Sequence, residues 1–145
     1  GLNPSLEKYQ AQNNLIKGDI PNFELCTVLR TLTLNNNKLT GYVLGAFEKL
    51  YRIKFIDVSN NHLSTTSLNN LLIDLEKNYD TTPRGGVTIN LKNQTSESNQ
   101  NIQLLPSEDG GGYAAARKLI SKGWTIGITG GIPPEPEEDT FGLGG

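Results

Sequence analysis

The chain has 145 residues, a formal net charge of -2 and 19% charged residues. This balance offers neither the basic surface that binds nucleic acid nor a polybasic patch for an anionic membrane. No segment of the sequence reaches the roughly 20 apolar residues needed to span a bilayer. The single cysteine, Cys26, excludes an intrachain disulfide framework and a multi-cysteine metal site. We expect one domain that binds no nucleic acid and does not insert into a membrane.

Apolar residues recur at a fixed spacing through the first half of the chain. The segment LRTLTLNNNKL at 29–39 fits the pattern LxxLxLxxNxL, and its asparagine is Asn37. The pattern recurs 24 residues later with Asn61 and, in a weaker form, 23 residues earlier with Asn14. Three copies at this spacing are typical of a leucine-rich repeat, in which inward apolar side chains stack from turn to turn. We expect the asparagines to be structural, because their amides can bond backbone groups that would otherwise be buried and unpaired.

Helices and strands alternate in the second half of the chain. Leucines at helical spacing predict a helix over residues 64–78, with serine and threonine available to cap its start. The later pattern predicts a strand at 87–91, a polar and Gly-rich loop at 92–112, a helix at 113–122 ended by Gly123, and a strand at 124–128. The glycines at 110–112 lack the Lys-Ser/Thr of a phosphate loop, so we interpret them as a flexible hinge.

The predicted architecture is an α/β leucine-rich repeat solenoid. It has a short parallel sheet on one side, helices and irregular segments on the convex side, and a C-terminal cap made of a helix and a strand. The predicted domain covers residues 1–129, and a Pro-rich, acidic and Gly-rich tail covers 130–145. Within the domain we place repeats near 6–28, 29–52 and 53–86, and a capping module at 87–129.

Two sets of motifs resemble more specific groups of repeat proteins. NNLIKGDIP and NNNKLTGYV are similar to the plant-type subclass, although Cys26 alone does not supply its flanking cysteine pairs. LLIDLEKNYDTTPRGGVTINLKNQ and AAARKLISKGWTI look like the closing module of leucine-rich repeat proteins in tailed-phage virions and some bacterial surface proteins. The resemblance implies a structural or receptor-binding component of a phage virion, in its tail, fibre or capsid decoration. The alternative is a bacterial cell-surface or secreted module that binds protein or glycan.

The sequence does not favour an enzyme, a metal site or a cofactor. The single histidine, His62, follows a predicted strand and has neither a second histidine nor a cysteine beside it for a catalytic triad or a zinc site. The acidic residues at 135–139 match no calcium loop and are interpreted as a solvated tail. Asn93-Gln94-Thr95 is a glycosylation sequon that matters only on a eukaryotic secretory route.

Binding is the function that the pattern favours. Residues that alternate with the inward leucines should face the open side of the sheet, and Phe55 is the large apolar ring among them. Phe141 and Leu143 are the large apolar residues of the segment 133–145 of the tail, which we expect to dock on a neighbouring chain. The predicted partner-binding residues are Thr33, Asn35, Phe55, Asp57, Ser59, Asn90, Phe141 and Leu143. The expected partners are other protein subunits or a host-surface protein or glycan, in a homo-oligomer or larger assembly.

Overall fold

The computed structural model describes residues 2–137. The elements are β1 (Lys8–Gln10), β2 (Lys17–Asp19), β3 (Thr31–Thr33), β4 (Lys38–Gly41), β5 (Phe55–Asp57), α1 (Thr65–Thr81), β6 (Thr88–Asn90), α2 (Gly112–Ser121) and β7 (Thr125–Gly127). The fold is therefore mixed α/β, as the sequence predicts. No helix among the described residues is long and apolar enough to cross a membrane.

Five strands form a parallel sheet in the order β1-β3-β5-β6-β7. Their central residues lie in one register row made of Tyr9, Leu32, Ile56, Ile89 and Ile126. All except the half-buried Tyr9 are buried in the core. Parallel strands contributed in chain order are compatible with the solenoid expected from the repeat pattern.

A second parallel sheet joins β2 and β4. The sequence pattern did not predict it, because Lys17–Asp19 is exposed throughout and carries no alternation of apolar and polar residues. The pairing arises from the repeat itself: the chain leaves each template asparagine in an extended form, so equivalent segments of successive copies lie side by side. The backbone N–H of Ile20 then donates to the carbonyl of Gly41 at 2.9 Å, just after β2.

Asn37 and Asn61 have the structural role predicted for the template asparagines, whereas Asn14 is exposed and its side chain donates only to carbonyls of its own turn. Asn61 is 1% exposed, and its Nδ2 donates to the carbonyl oxygens of Leu34 and Val58, each at 3.0 Å. Its Oδ1 accepts from the backbone N–H of Leu39 at 3.0 Å. Asn37 makes the equivalent bonds one copy earlier. Each side chain thus bonds its own turn of chain to the preceding one.

Gln94 occupies the same position in the next turn of chain. Its Nε2 donates to the carbonyls of Val58 and Leu91 at 2.8 and 3.3 Å, and its Oε1 accepts from the N–H of Leu63 at 3.1 Å. The sequence pattern missed this residue, because a template that requires asparagine does not register glutamine. An asparagine with positive φ stands just before each of Asn14, Asn37, Asn61 and Gln94. These asparagines are Asn13, Asn36, Asn60 and Asn93. Asparagine tolerates this left-handed conformation better than other non-glycine residues.

The glycines at 110–112 are packed against α1 and do not form the predicted hinge. Asn69 of α1 places its Oδ1 3.0 Å from the backbone N–H groups of Ser107 and Gly112, which donate to it. A Cβ on Gly110 or Gly112 would overlap the Asn69 amide. Gly110 and Gly112 are therefore needed for close approach, and Gly111 for its positive φ, rather than for flexibility.

The described part of the tail, residues 130–137, contains no helix or strand. Ile132 packs against the core, and Nη1 of Arg117 donates to the carbonyl of Pro133 at 3.1 Å. Phe141 and Leu143 lie outside the described residues, so their predicted docking stays a prediction.

Candidate interaction surface on the five-stranded sheet

Two register rows flank the buried central row and carry the outward side chains of the sheet. The first row contains Lys8, Thr31, Phe55, Thr88 and Thr125, and the second contains Gln10, Thr33, Asp57, Asn90 and Gly127. Successive residues of a strand point to opposite faces, so both rows lie on the face away from the core. We call these ten residues the sheet face.

Phe55 is the aromatic residue of the sheet face. Its strand lies between β3 and β6, which places the ring between the cross-strand neighbours Thr31 and Thr88. The ring is half-buried, because small side chains on either side cannot cover it fully. An aromatic ring left partly open within a polar surface can supply the apolar centre of an interface.

Asp57 lies beside Phe55 on the same face. Ser59, just after the end of β5, holds the Asp57 carboxylate in place. Asp57 Oδ1 accepts from the backbone N–H of Ser59 at 3.0 Å and from the Ser59 hydroxyl at 2.6 Å. Oδ2 has no hydrogen-bond partner within residues 2–137 and remains available as an acceptor.

The placement of Ser59 on the exposed row was wrong. Ser59 is 4% exposed. Its hydroxyl is directed at Asp57, because a serine two residues after an aspartate can close a short hydrogen-bonded turn with that carboxylate. Ser59 therefore positions Asp57 and does not itself face a partner.

Other predicted contact residues lie where the alternation puts them. Thr33 and Asn90 occupy the same row as Asp57 and are half-buried. The Thr33 hydroxyl donates to Gln12 Oε1 at 2.8 Å, and Asn90 Oδ1 accepts from the N–H of Lys92 at 3.1 Å. Asn35 follows β3 and is half-buried. The structure thus brings Thr33, Phe55, Asp57 and Asn90 onto one surface, with Asn35 at its margin.

The sequence interpretation omitted Lys8 and Thr125 from the face. Both lie in the Phe55 row, at the two ends of the sheet. The same alternation would have found them, because Lys8 lies two residues before Gln10 and Thr125 lies between the inward residues Trp124 and Ile126.

The sheet face is suited to noncovalent binding. It offers an aromatic ring, one carboxylate, hydroxyls, amides and the ammonium group of Lys8, which lies two strands away from Asp57. Within residues 2–137, no group of three or more His, Cys, Asp or Glu side chains is placed to hold a metal ion. His62 lies off this face, where its Nδ1 donates to the carbonyl of Thr95 at 2.9 Å.

Comparison with known proteins associates the chain with leucine-rich repeat proteins. It is similar to a human protein, Podocan-like protein 1, with 44% identity over 68 residues. The match covers 44% of this chain and 13% of the length of that relative, which is a leucine-rich repeat protein. No family model matches the chain, and no solved structure matches it.

Proposed function

We propose that this chain is a leucine-rich repeat solenoid that binds a protein partner through the sheet face, with Phe55 at the centre of the contact. One observation carries the proposal: a partly open aromatic ring lies in register between two threonines, beside a carboxylate fixed by Ser59. Aromatic anchors surrounded by small polar side chains are typical of interface centres. In this proposal the domain covers 1–129 and the tail covers 130–145.

The partial similarity to Podocan-like protein 1 supports the repeat assignment and protein binding, but it does not support a phage setting. The virion setting and the alternative bacterial-surface setting rest on the KGWT strand and the sequence that precedes it. We propose them as locations to be tested by searching for the full-length protein in purified particles and in cell-wall fractions.

The proposed interface is tested by placing a charge beside Phe55. Thr88→Lys introduces an ammonium group next to the ring and removes little buried apolar surface, since Thr88 is half-buried. We expect the Kd for a partner isolated from the source cells to rise at least about tenfold, a loss of about 1.4 kcal/mol, because a long charged side chain beside Phe55 separates the ring from the partner and must be desolvated on binding. Titration calorimetry with the purified partner measures it.

Thr66→Lys is the matched control, since Thr66 is exposed on α1 and lies outside the sheet face. It should leave the Kd within about twofold of that of the unchanged chain.

Phe55→Ser should weaken binding as Thr88→Lys does. Leu44→Ser is its control for the loss of an exposed apolar side chain, because Leu44, which follows β4, is 60% exposed. Equal Kd values for Thr88→Lys, Thr66→Lys and the unchanged chain, all folded, would exclude the sheet face as the binding surface.

A further inference from the structure

A polar cleft of about 540 Å³ lies beside the sheet face, where the chain turns away from the ends of the strands. Its lining includes Lys17, Lys38, Asn60, His62, Asn93 and Glu97. The volume is that of a small-molecule site. The residues that line this cleft are all polar or charged, which favours a polar ligand over the apolar anchor of a peptide.

The two lysines of the cleft are direct cross-strand neighbours. Lys17 on β2 pairs in register with Lys38 on β4. Like charges directly opposite each other on paired strands are destabilising. Within residues 2–137, neither lysine lies within 4 Å of a carboxylate. The cleft therefore has two lysines side by side on neighbouring strands, where one anion can reach both side chains.

Amide and imidazole groups complete the cleft around this charge. His62 donates through Nδ1 to the Thr95 carbonyl, which leaves Nε2 on the opposite side of the ring unbonded within the described part of the chain. Asn93 Nδ2 likewise has no partner within residues 2–137, and Asn60 Nδ2 makes only a 3.4 Å contact with Ser59. Such groups bond hydroxyls in either direction, because an amide carries both donors and acceptors.

We propose that this cleft binds an acidic saccharide, with its sulfate or carboxylate between Lys17 and Lys38 and its hydroxyls against Asn60, Asn93 and His62. Two observations together favour this class of ligand: neighbouring lysines that form no ion pair favour an anion, and a lining rich in amides without apolar side chains favours a polyhydroxylated ligand. Glu97, the carboxylate of the lining, opposes the anion and lowers the affinity.

The test uses the full chain and three probes: a sulfated disaccharide, its unsulfated counterpart and inorganic sulfate. We expect the sulfated disaccharide to bind more tightly than either of the other two. Lys17→Ala/Lys38→Ala should weaken its binding at least about tenfold, since charge-assisted bonds to an anion are lost. Lys77→Ala/Lys122→Ala removes the same charge from exposed positions outside the cleft and should change the Kd less than about twofold.

Two further readouts separate binding from folding. Lys17→Ala/Lys38→Ala should not lower the thermal midpoint, because the substitution removes a repulsion. Glu97→Gln should strengthen binding of the sulfated disaccharide two- to fivefold, about the effect of relieving one exposed like charge. The proposal is overturned if the lysine pair and its control lose affinity equally, or if Glu97→Gln weakens binding. Equal affinity for inorganic sulfate and the sulfated disaccharide would overturn it as well, since the cleft would then be an adventitious anion site only.

Discussion

At the scale of single residues, the buried amides decide where the chain can turn. A chain that leaves a sheet must either expose its backbone groups to water or bond them to side chains. Asn61 bonds carbonyls on both its own turn and the preceding one, and accepts from Leu39 N–H. One side chain therefore satisfies at least three buried backbone groups, so its contribution to stability is larger than that of a surface asparagine.

Asn61→Ala should lower the free energy of unfolding by about 2 kcal/mol or more. The buried Leu39 N–H loses its acceptor, which costs about 1–3 kcal/mol, and two bonds to carbonyls are lost as well, although Leu34 and Val58 keep the amides of Asn37 and Gln94 as donors. Urea denaturation followed by far-UV circular dichroism measures the change. Asn14→Ala is the matched control: Asn14 has the same place in the repeat, but it is exposed and water can replace its bonds. We expect that control to cost less than about 1 kcal/mol. Similar costs at both positions would contradict the assignment of Asn61 as a buried link between turns.

At the scale of elements, helix α2 begins without a side-chain cap of its own. Its N-cap residue is Gly111, which has a positive φ and no side chain to accept from the first N–H groups. Asn69 of α1 supplies that acceptor from another helix, with Oδ1 3.0 Å from Gly112 N. The start of α2 and its docking on α1 therefore depend on the same amide.

Asn69→Ala should destabilise the chain by about 1–2 kcal/mol, the cost of losing an N-cap. Amide hydrogen exchange should show the loss of protection concentrated in the first turn of α2.

Gly110→Ala should also destabilise, since its Cβ would overlap the Asn69 amide and the Ser107 hydroxyl. The double variant should lose less stability than the sum of the two single losses, because without the Asn69 amide the Cβ at position 110 meets less steric overlap. Strict additivity would show that Asn69 and Gly110 do not contact each other in solution.

Elements with a strong local period could be predicted from the sequence, and contacts between distant residues could not. The leucines of α1 and the alternation around Ile89 fall where the helix and β6 lie. The structural amide at Gln94 and the capping amide at Asn69 act on residues far along the chain, and no local pattern marks them. The same limit explains the burial of Ser59, since alternation predicts which face a residue lies on but not whether its neighbour's carboxylate draws it inward.

The two candidate binding surfaces also differ in whether a local sequence period marks them. The sheet face could be predicted as a row of alternate residues, because its register depends on the repeat. The cleft beside it could not, because it requires the pairing of β2 with β4 and the folding of the 94–103 segment back towards His62. Neither pairing has an apolar period that a sequence would show.

At the scale of the whole molecule, buried polar clusters join the early repeat copies to the C-terminal half. Asp74 of α1 is 1% exposed and accepts from the Tyr42 hydroxyl at 2.5 Å and from Gly45 N–H at 2.7 Å. Farther along, Arg84 donates to the carbonyls of Leu50 and Ile53 at 3.2 and 3.3 Å, and its guanidinium lies 5.4 Å from the centre of the Trp124 ring. Burial lowers the Arg84 pKa. These links make unfolding of one half unfavourable without the other, so we expect a single cooperative transition.

The Tyr42–Asp74 link also predicts a dependence of stability on alkaline pH. Burial, followed by the hydrogen bond to Asp74 and the negative charges of Asp74 and Glu48, raises the pKa of Tyr42 above its ordinary value near 10. The folded chain then keeps a proton that the unfolded chain releases, so the stabilisation is complete below about pH 10 and declines as the pH rises. Burial and Glu108 also raise the pKa of Tyr113, which adds to the decline.

Tyr42→Phe should therefore have two effects, which urea denaturation at a series of pH values can separate. At pH 7 it should lower the free energy of unfolding by about 1–3 kcal/mol, because Asp74 and Phe47 N–H each lose a buried partner. Between about pH 10 and 11 the unchanged chain should lose up to about 1.4 kcal/mol more per pH unit than Tyr42→Phe does, since one proton fewer is released on unfolding of the variant. Tyr51→Phe serves as the control, because the Tyr51 hydroxyl makes no hydrogen bond within residues 2–137, and it should keep the slope of the unchanged chain. A Tyr42→Phe chain that declined as steeply as the Tyr51→Phe chain would mean that the Tyr42 proton is not retained on folding, and that the alkaline sensitivity arises at Tyr113 or elsewhere.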